Sequence, residues 1–220
     1  MARHRLLFTK EERAVYLSHL DLMRTITRAF LRAGIAIRHT EGFNPHPYLS
    51  IAMPLSVGAA SRTELLDFEL IDNTALNTIP AALTAYMPEG ITVLDAYEAP
   101  RKLKEIVWLE ISGVLEYDNL EKLEETAAKL TAFFEQDEIH VRKRNKKKEE
   151  VVVDIAPMIQ TVICKTADVI ALNAVIAAQN PSLNPELMMD ALRQNESQLA
   201  PDFARFRRLA VYDKFMHIFR

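Results

Sequence analysis

A single cysteine, Cys164, is present in the 220 residues. One thiol excludes an intramolecular disulfide and any cysteine-ligated zinc or iron–sulfur site within the chain, and it fits a reducing compartment. Glycine is scarce as well. The five glycines stand apart at 34, 42, 58, 90 and 113, so no phosphate-cradling glycine loop is present. Zinc-protease helix motifs and the nucleophile elbow are missing too. No run approaches the roughly 20 apolar residues of a membrane span. The amino-terminal Arg3-His4-Arg5 leads into only a short apolar stretch before charge returns, so no signal-peptide core is expected. These absences point to a cytoplasmic protein without a membrane anchor, and no metal or cofactor is expected.

What is present is enough apolar material for a sizeable core, 49% of residues, which excludes global disorder. Net charge is -3, so any nucleic-acid contact must come from local patches. The charge is uneven. Residues 1–50 carry eight Lys or Arg against four Asp or Glu, whereas residues 51–100 carry one against seven. That asymmetry favours a domain with one anion-facing side.

Hydrophobic patterning predicts a strand over 4–9 and a returning extended piece at Val15–Leu17. Ser18 is placed to cap a helix running to about Ala33, with Asp21 three residues on. Leu20, Met23, Ile26, Phe30 and Leu31 would form its apolar face, and Gly34 would end it. Strands are expected at 35–39, 49–54, 64–71 and 91–97, with a helix over 75–87 capped by Asn73 or Thr74. A charged connector at 100–104 separates a second series. It comprises a strand at 107–115, a helix over 120–134 capped by Asp118, strands at 139–143 and 151–155, and an extended 161–171. A helix capped by Asn184 with Pro185 in its first turn follows, and then a closing strand over 209–218. The fold class expected is α+β, two ferredoxin-like β-α-β-β-α-β units packed side by side, residues 1–100 and 105–220.

Three constellations carry chemistry. The first is Ser18-His19-Leu20-Asp21-Leu22-Met23-Arg24, where His19 and Asp21 read as a base with its orienting carboxylate, as a metal pair with His46, or as first-turn polar residues of a capped helix. Residues two apart on a helix face away from each other, which favours the cap. The second is Gly42-Phe43-Asn44-Pro45-His46-Pro47. Two prolines stiffen it, presenting Asn44 and His46 for binding, or else Phe43 plugs the core of a plain turn. The third is charge: Arg24, Arg28 and Arg32 at i, i+4 spacing on one helix face, and the run Arg142, Lys143, Arg144, Lys146, Lys147, Lys148 at a hairpin tip. Each reads as a phosphate-contacting patch or as a solvated face. Glu149 and Glu150 blunt the second run.

The strings Ser-His-Leu-Asp-Leu and Gly-Phe-Asn-Pro-His-Pro resemble a bacterial family of radical-SAM-linked proteins, a domain of unknown function found alone or fused to the C-terminus of radical SAM enzymes. The likeness is carried over roughly residues 3–70, including Pro54-Leu55, Val57-Gly58 and Glu69-Leu70. It implies a partner or substrate-presenting role beside such an enzyme. The chain has no three-cysteine motif, so it is not itself the radical enzyme.

Three functional expectations stand side by side. In the first, a non-catalytic accessory protein binds RNA or presents it to a radical SAM partner. Arg24, Arg28 and Arg32 would meet phosphates there, and His19, Asp21, Phe43, Asn44 and His46 would position the ligand. The second is a metal-independent RNA-processing endonuclease with His19 and His46 as general acid and base. The third is a pure protein-interaction module.

Overall fold

A computed structural model describes residues 3–118, 122–145 and 147–220. The protein is α+β, and the chain divides into two compact units, Met1–Glu105 with Arg220, and Ile106–Phe219.

Unit 1 contains, in order, β1 (Arg3–Lys10), a 3-10 turn (Glu12–Tyr16), α1 (His19–Arg32), β2 (Leu49–Ile51), β3 (Ala60–Glu69), α2 (Ile79–Thr84) and β4 (Val93–Glu98). Its strands lie in the order β4-β1-β3-β2, each neighbour antiparallel. Alternation along β1 and β3 sends Leu6, Phe8, Leu66 and Phe68 to one face of the sheet, where Ile26 and Phe30 of α1 and Ile79 and Leu83 of α2 close the core over them. On the opposite face Arg5 and Asp67 are direct cross-strand partners. Both are buried, joined by Arg5 Nε to Asp67 Oδ1 at 2.6 Å and Nη2 to Oδ2 at 3.1 Å.

The α1 boundaries follow from local chemistry. The Ser18 hydroxyl accepts the Asp21 N–H at 3.2 Å and donates to the Asp21 carboxylate at 2.7 Å, a capping arrangement that satisfies an otherwise orphaned donor. At the other end Gly34 takes φ +69. The Gly34 N–H reaches Leu31 O and the Ile35 N–H reaches Phe30 O, the paired bonds of a glycine-terminated helix.

The buried face of α1 differs from the expected one: Leu22, Ile26, Ala29 and Phe30 point inward, while Leu20 is 57% and Leu31 79% exposed. At about 100° per residue Leu20 and Leu31 lie roughly 120° and 140° from Ile26, outside the arc that Phe30 and Leu22 share with it.

Other local differences have similar causes. Val15 and Tyr16 belong to the 3-10 turn rather than to a strand. Residues 35–39 make only isolated bridges, Ile37 with Leu70 and His39 with Pro47, because the segment divides its bonds between two partners: the Arg38 N–H donates to Glu69 O, and the Arg38 carbonyl accepts the Tyr48 N–H. The helix expected over 75–87 is shorter. Thr74 is held by Asp72, a 3-10 turn occupies Leu76–Thr78, and α2 spans six residues with Pro80 in its first turn.

Unit 2 contains β5 (Trp108–Glu116), α3 (Leu123–Phe134), β6 (His140–Arg144), β7 (Glu150–Asp154), β8 (Ile159–Thr166), β9 (Ile170–Ala177), α4 (Pro185–Asn195) and β10 (Phe203–Tyr212). Four strands pair antiparallel in the order β10-β5-β9-β8, and β6 and β7 form a separate two-stranded ribbon. Strict alternation along β5 buries every second residue. At one of them, Gly113, a Cβ would stand 2.9 Å from the Phe206 ring, so the sheet needs glycine there.

Asn184 caps α4 as expected, accepting the Glu186 N–H at 3.1 Å. Asp118 does not cap α3. Its N–H donates to Asp202, the residue before α3 is Lys122, and 119–121 lie outside the described residues. The stretch expected to be extended over 161–171 is two strands, with a turn closed by the Ala167 N–H on Val169 O. The closing strand begins at Phe203, earlier than 209.

Candidate nucleic-acid interface

The basic run of residues 142–148 is built into a ribbon and its turn. Asn145, the one uncharged residue in the run, shapes that turn. Its side-chain oxygen accepts the N–H groups of Lys147 at 2.8 Å and Glu149 at 3.1 Å, and Lys148 adopts φ +64. Its amide nitrogen donates to the Glu149 carboxylate at 2.8 Å. Glu149 is therefore engaged by an amide. Among the described residues no carboxylate pairs with Arg142, Lys143, Arg144, Lys147 or Lys148. Lys146 lies outside the described residues.

Register puts Arg142 opposite Val152 and Arg144 opposite Glu150. Because strand side chains alternate, His140, Arg142, Arg144, Glu150 and Val152 share one ribbon face. That face forms one wall of an open cleft of about 870 Å³, whose other wall is the α4 residues Asp190, Gln194 and Asn195.

The ribbon is pinned to α4. Gln194 accepts the Arg142 N–H at 2.8 Å and donates to the Arg142 carbonyl at 3.0 Å. Asn195 donates to the His140 carbonyl at 2.9 Å. Asp190 is held by Arg193 at 2.8 Å. The amides facing the cleft are thus committed to ribbon backbone, and the cations are left to face solvent. The cleft offers positive charge on a fixed frame, with little capacity to read bases.

Of the cleft lining, Arg142, Lys143 and Arg144 stand out in the sequence as a charge run; His140, Glu150, Val152, Asp190, Gln194 and Asn195 do not. The contacts that assemble the site join residues 52 to 55 apart in sequence, and no local pattern announces them.

The two motif strings of unit 1 lie at opposite ends of α1. His19, at its start, borders a small cleft with Lys10, Leu17, Leu22, Pro54, Leu55 and Glu64. His46 sits in a loop closed on itself, its N–H on Thr40 Oγ1 at 3.0 Å and its carbonyl accepting the Thr40 N–H at 2.8 Å. That loop joins the segment that follows the other end of α1 through the His39–Pro47 bridge. Fourteen helical residues separate the two by roughly 20 Å at 1.5 Å per residue. Asp21 is turned to Ser18 and, at 3.4 Å, to Arg24, so it does not orient His19.

Phe43, Asn44 and His46 are exposed, and Phe43 plugs no core. Beside the loop, Arg38 donates to Glu69 at 2.9 Å, and its guanidinium lies 5.4 Å from the Tyr48 ring centroid. Glu69 raises the Arg38 pKa further. Arg24, Arg28 and Arg32 are all exposed. Among the described residues no group of three or more His, Cys, Asp or Glu side chains is arranged to hold a metal ion, and no helix is long and apolar enough to cross a membrane.

The profile of a family described as "Uncharacterized protein conserved in bacteria (DUF2344)" matches residues 3–185. No curated protein matches the chain. Among solved structures the chain is similar to an unknown protein from Galdieria sulphuraria, at 11% identity and a TM-score of 0.28, with 94% of this chain and 98% of that one covered.

Proposed function

We propose, from the premise that the chain belongs to the DUF2344 family of bacterial proteins, that it is an accessory protein that binds RNA in the cleft between the β6–β7 ribbon and α4. The observation that carries this reading is the pair of cations on the cleft face of β6, Arg142 and Arg144, with Lys143 between them in the strand, held on a pinned ribbon and, among the described residues, with no carboxylate paired to them. Exposed guanidinium and ammonium groups without partners attract phosphates, and each contact adds salt-dependent affinity. Because Gln194 and Asn195 are spent on backbone, binding tolerates many sequences.

The finer fold belongs to the same proposal. Both units are ferredoxin-like on this reading, supported by the strand order last-first-third-second that each sheet shows, with β6–β7 as an insertion in unit 2. The RNA is presented to a partner enzyme. A radical SAM enzyme is the partner to test, supported by the resemblance carried in Ser18–Arg24 and Gly42–Pro47. The reading gives His19 and His46 no catalytic role, since they stand a helix length apart.

The test is fluorescence anisotropy of a labelled oligouridine at low and moderate salt. Arg142→Glu/Arg144→Glu is expected to weaken binding by roughly 100-fold and to flatten the salt dependence, by about 0.7 in log–log slope per lost single-strand contact. No binding by the wild-type chain at low salt would sink the reading.

A further inference from the structure

The outward face of α1 combines two features that a solvated helix face does not need together. Leu20 and Leu31 are 57% and 79% exposed. They stand at the ends of the ridge Leu20, Arg24, Thr27, Leu31, an i, i+4, i+7, i+11 series that forms a continuous line on an α-helix. Eleven residues apart, the leucines are separated by about 16 Å along the axis. Arg28 and Arg32 flank the ridge. Asp21 engages Arg24 at 3.4 Å, and among the described residues no acidic side chain pairs with Arg28 or Arg32.

We propose that this face docks an acidic amphipathic helix of a partner protein. Charge complementarity selects the occupant. Unpaired arginines beside a ridge call for carboxylates, and the two leucines call for apolar side chains spaced over three turns. A phosphate chain would satisfy the arginines and leave both leucines in water, which argues against RNA here. A second copy of the same face would set arginine against arginine, so self-association through α1 is disfavoured.

The inference stands apart from the RNA reading, because the two use different units and different residues. One experiment keeps them separable. The full chain is titrated into a labelled helical peptide of about 18 residues with leucines at i, i+4, i+7 and i+11 and glutamates beside them. A second peptide carries lysine in place of every glutamate. The wild-type chain is expected to bind the acidic peptide alone. Leu20→Asp/Leu31→Asp and Arg24→Glu/Arg28→Glu/Arg32→Glu are each expected to weaken it by about tenfold or more. The arginine reversal should gain the basic peptide, and Arg142→Glu/Arg144→Glu should bind the acidic peptide as wild type does. Circular dichroism of each variant checks that α1 remains folded.

Equal binding of both peptides, or none, overturns the proposal. So does a loss of oligouridine binding on Arg24→Glu/Arg28→Glu/Arg32→Glu, which would give the face to phosphates. A dimer abolished by Leu20→Asp/Leu31→Asp would give it to a second copy.

Discussion

Unit 1 turns a charge of its first strand inward. Arg5 on β1 is fully buried, and its guanidinium meets the Asp67 carboxylate through two bonds of 2.6 and 3.1 Å, with a third to the Arg101 carbonyl at 2.9 Å. Unit 2 instead carries its densest charge on β6, a strand outside its four-stranded sheet, where Arg142 and Arg144 face a cleft. The same side chain therefore does opposite work at these two places. Dehydrating a guanidinium is costly unless a carboxylate and further acceptors replace water, so the buried arginine is fixed by geometry and contributes to the identity of the fold. The cleft arginines remain hydrated, contribute little to folding, and are available to an anionic ligand.

The sharpest way to break the comparison is to remove the partner of the buried charge. Asp67→Ala leaves Arg5 without its carboxylate and is expected to lower stability by about 3–5 kcal/mol, read from urea denaturation. Arg5→Met/Asp67→Leu, which removes both charges at similar volume, should recover most of that loss. A cost under about 1 kcal/mol for the single change would mean that Arg5 is as well solvated as the cleft arginines, and the contrast would fail.

A second prediction concerns how unit 2 treats charge at a half-buried thiol. Burial pushes the Cys164 thiol from 9.0 up to about 11, against a hydrogen bond to Thr131 that acts the other way. The folded state therefore holds the proton over a pH range where the unfolded chain releases it. Stability from this group is intact below about pH 9 and is lost as pH rises towards 11. Alkylation by iodoacetamide at pH 8 should run about a hundredfold slower in the folded chain than in urea, following the thiolate fraction. Cys164→Ala should flatten the alkaline fall in stability. Equal alkylation rates in the two states would show that β8 does not shield the thiol from water.

Much of the framework was legible from local chemistry. Ser18, Gly34, Asn184 and Pro185 mark helix ends because capping acts within a few residues, and the β6–β7 ribbon was visible because its turn residues sit between alternating strands. The errors share a different cause. Leu20 and Leu31 look like core residues to any count of apolar positions, but the helix phase is set by what Ile26 and Phe30 meet across the sheet. Residues 35–39 have strand-like composition, but their backbone bonds are split between Glu69 and Tyr48, distant in sequence, so no single ladder forms. Asp118 resembles a cap, yet its backbone is engaged by Asp202, distant in sequence. The cationic part of the cleft could be read as a charge run. Its α4 wall could not, because Gln194 and Asn195 join it only through tertiary contacts.

The smallest effect tests the local end of this argument. Ser18 satisfies the Asp21 N–H, one of the donors that the first turn of α1 cannot pair internally. Ser18→Ala removes that acceptor at an exposed helix end and should cost about 1 kcal/mol, with no change in oligouridine binding. The residue also fixes the direction of Asp21, which meets Arg24 at 3.4 Å. With the hydroxyl gone, the carboxylate has one fewer donor to hold it and is free to turn towards solvent. If the acidic helix docks on α1 as proposed, releasing Arg24 from Asp21 should leave peptide affinity unchanged or slightly tighter. A tenfold loss would show that the cap shapes the docking face as well as the helix end. A stability cost near zero would mean that the start of α1 is set by packing of Leu22 and Ile26 alone, and that capping at this helix is a consequence of the fold and not one of its causes.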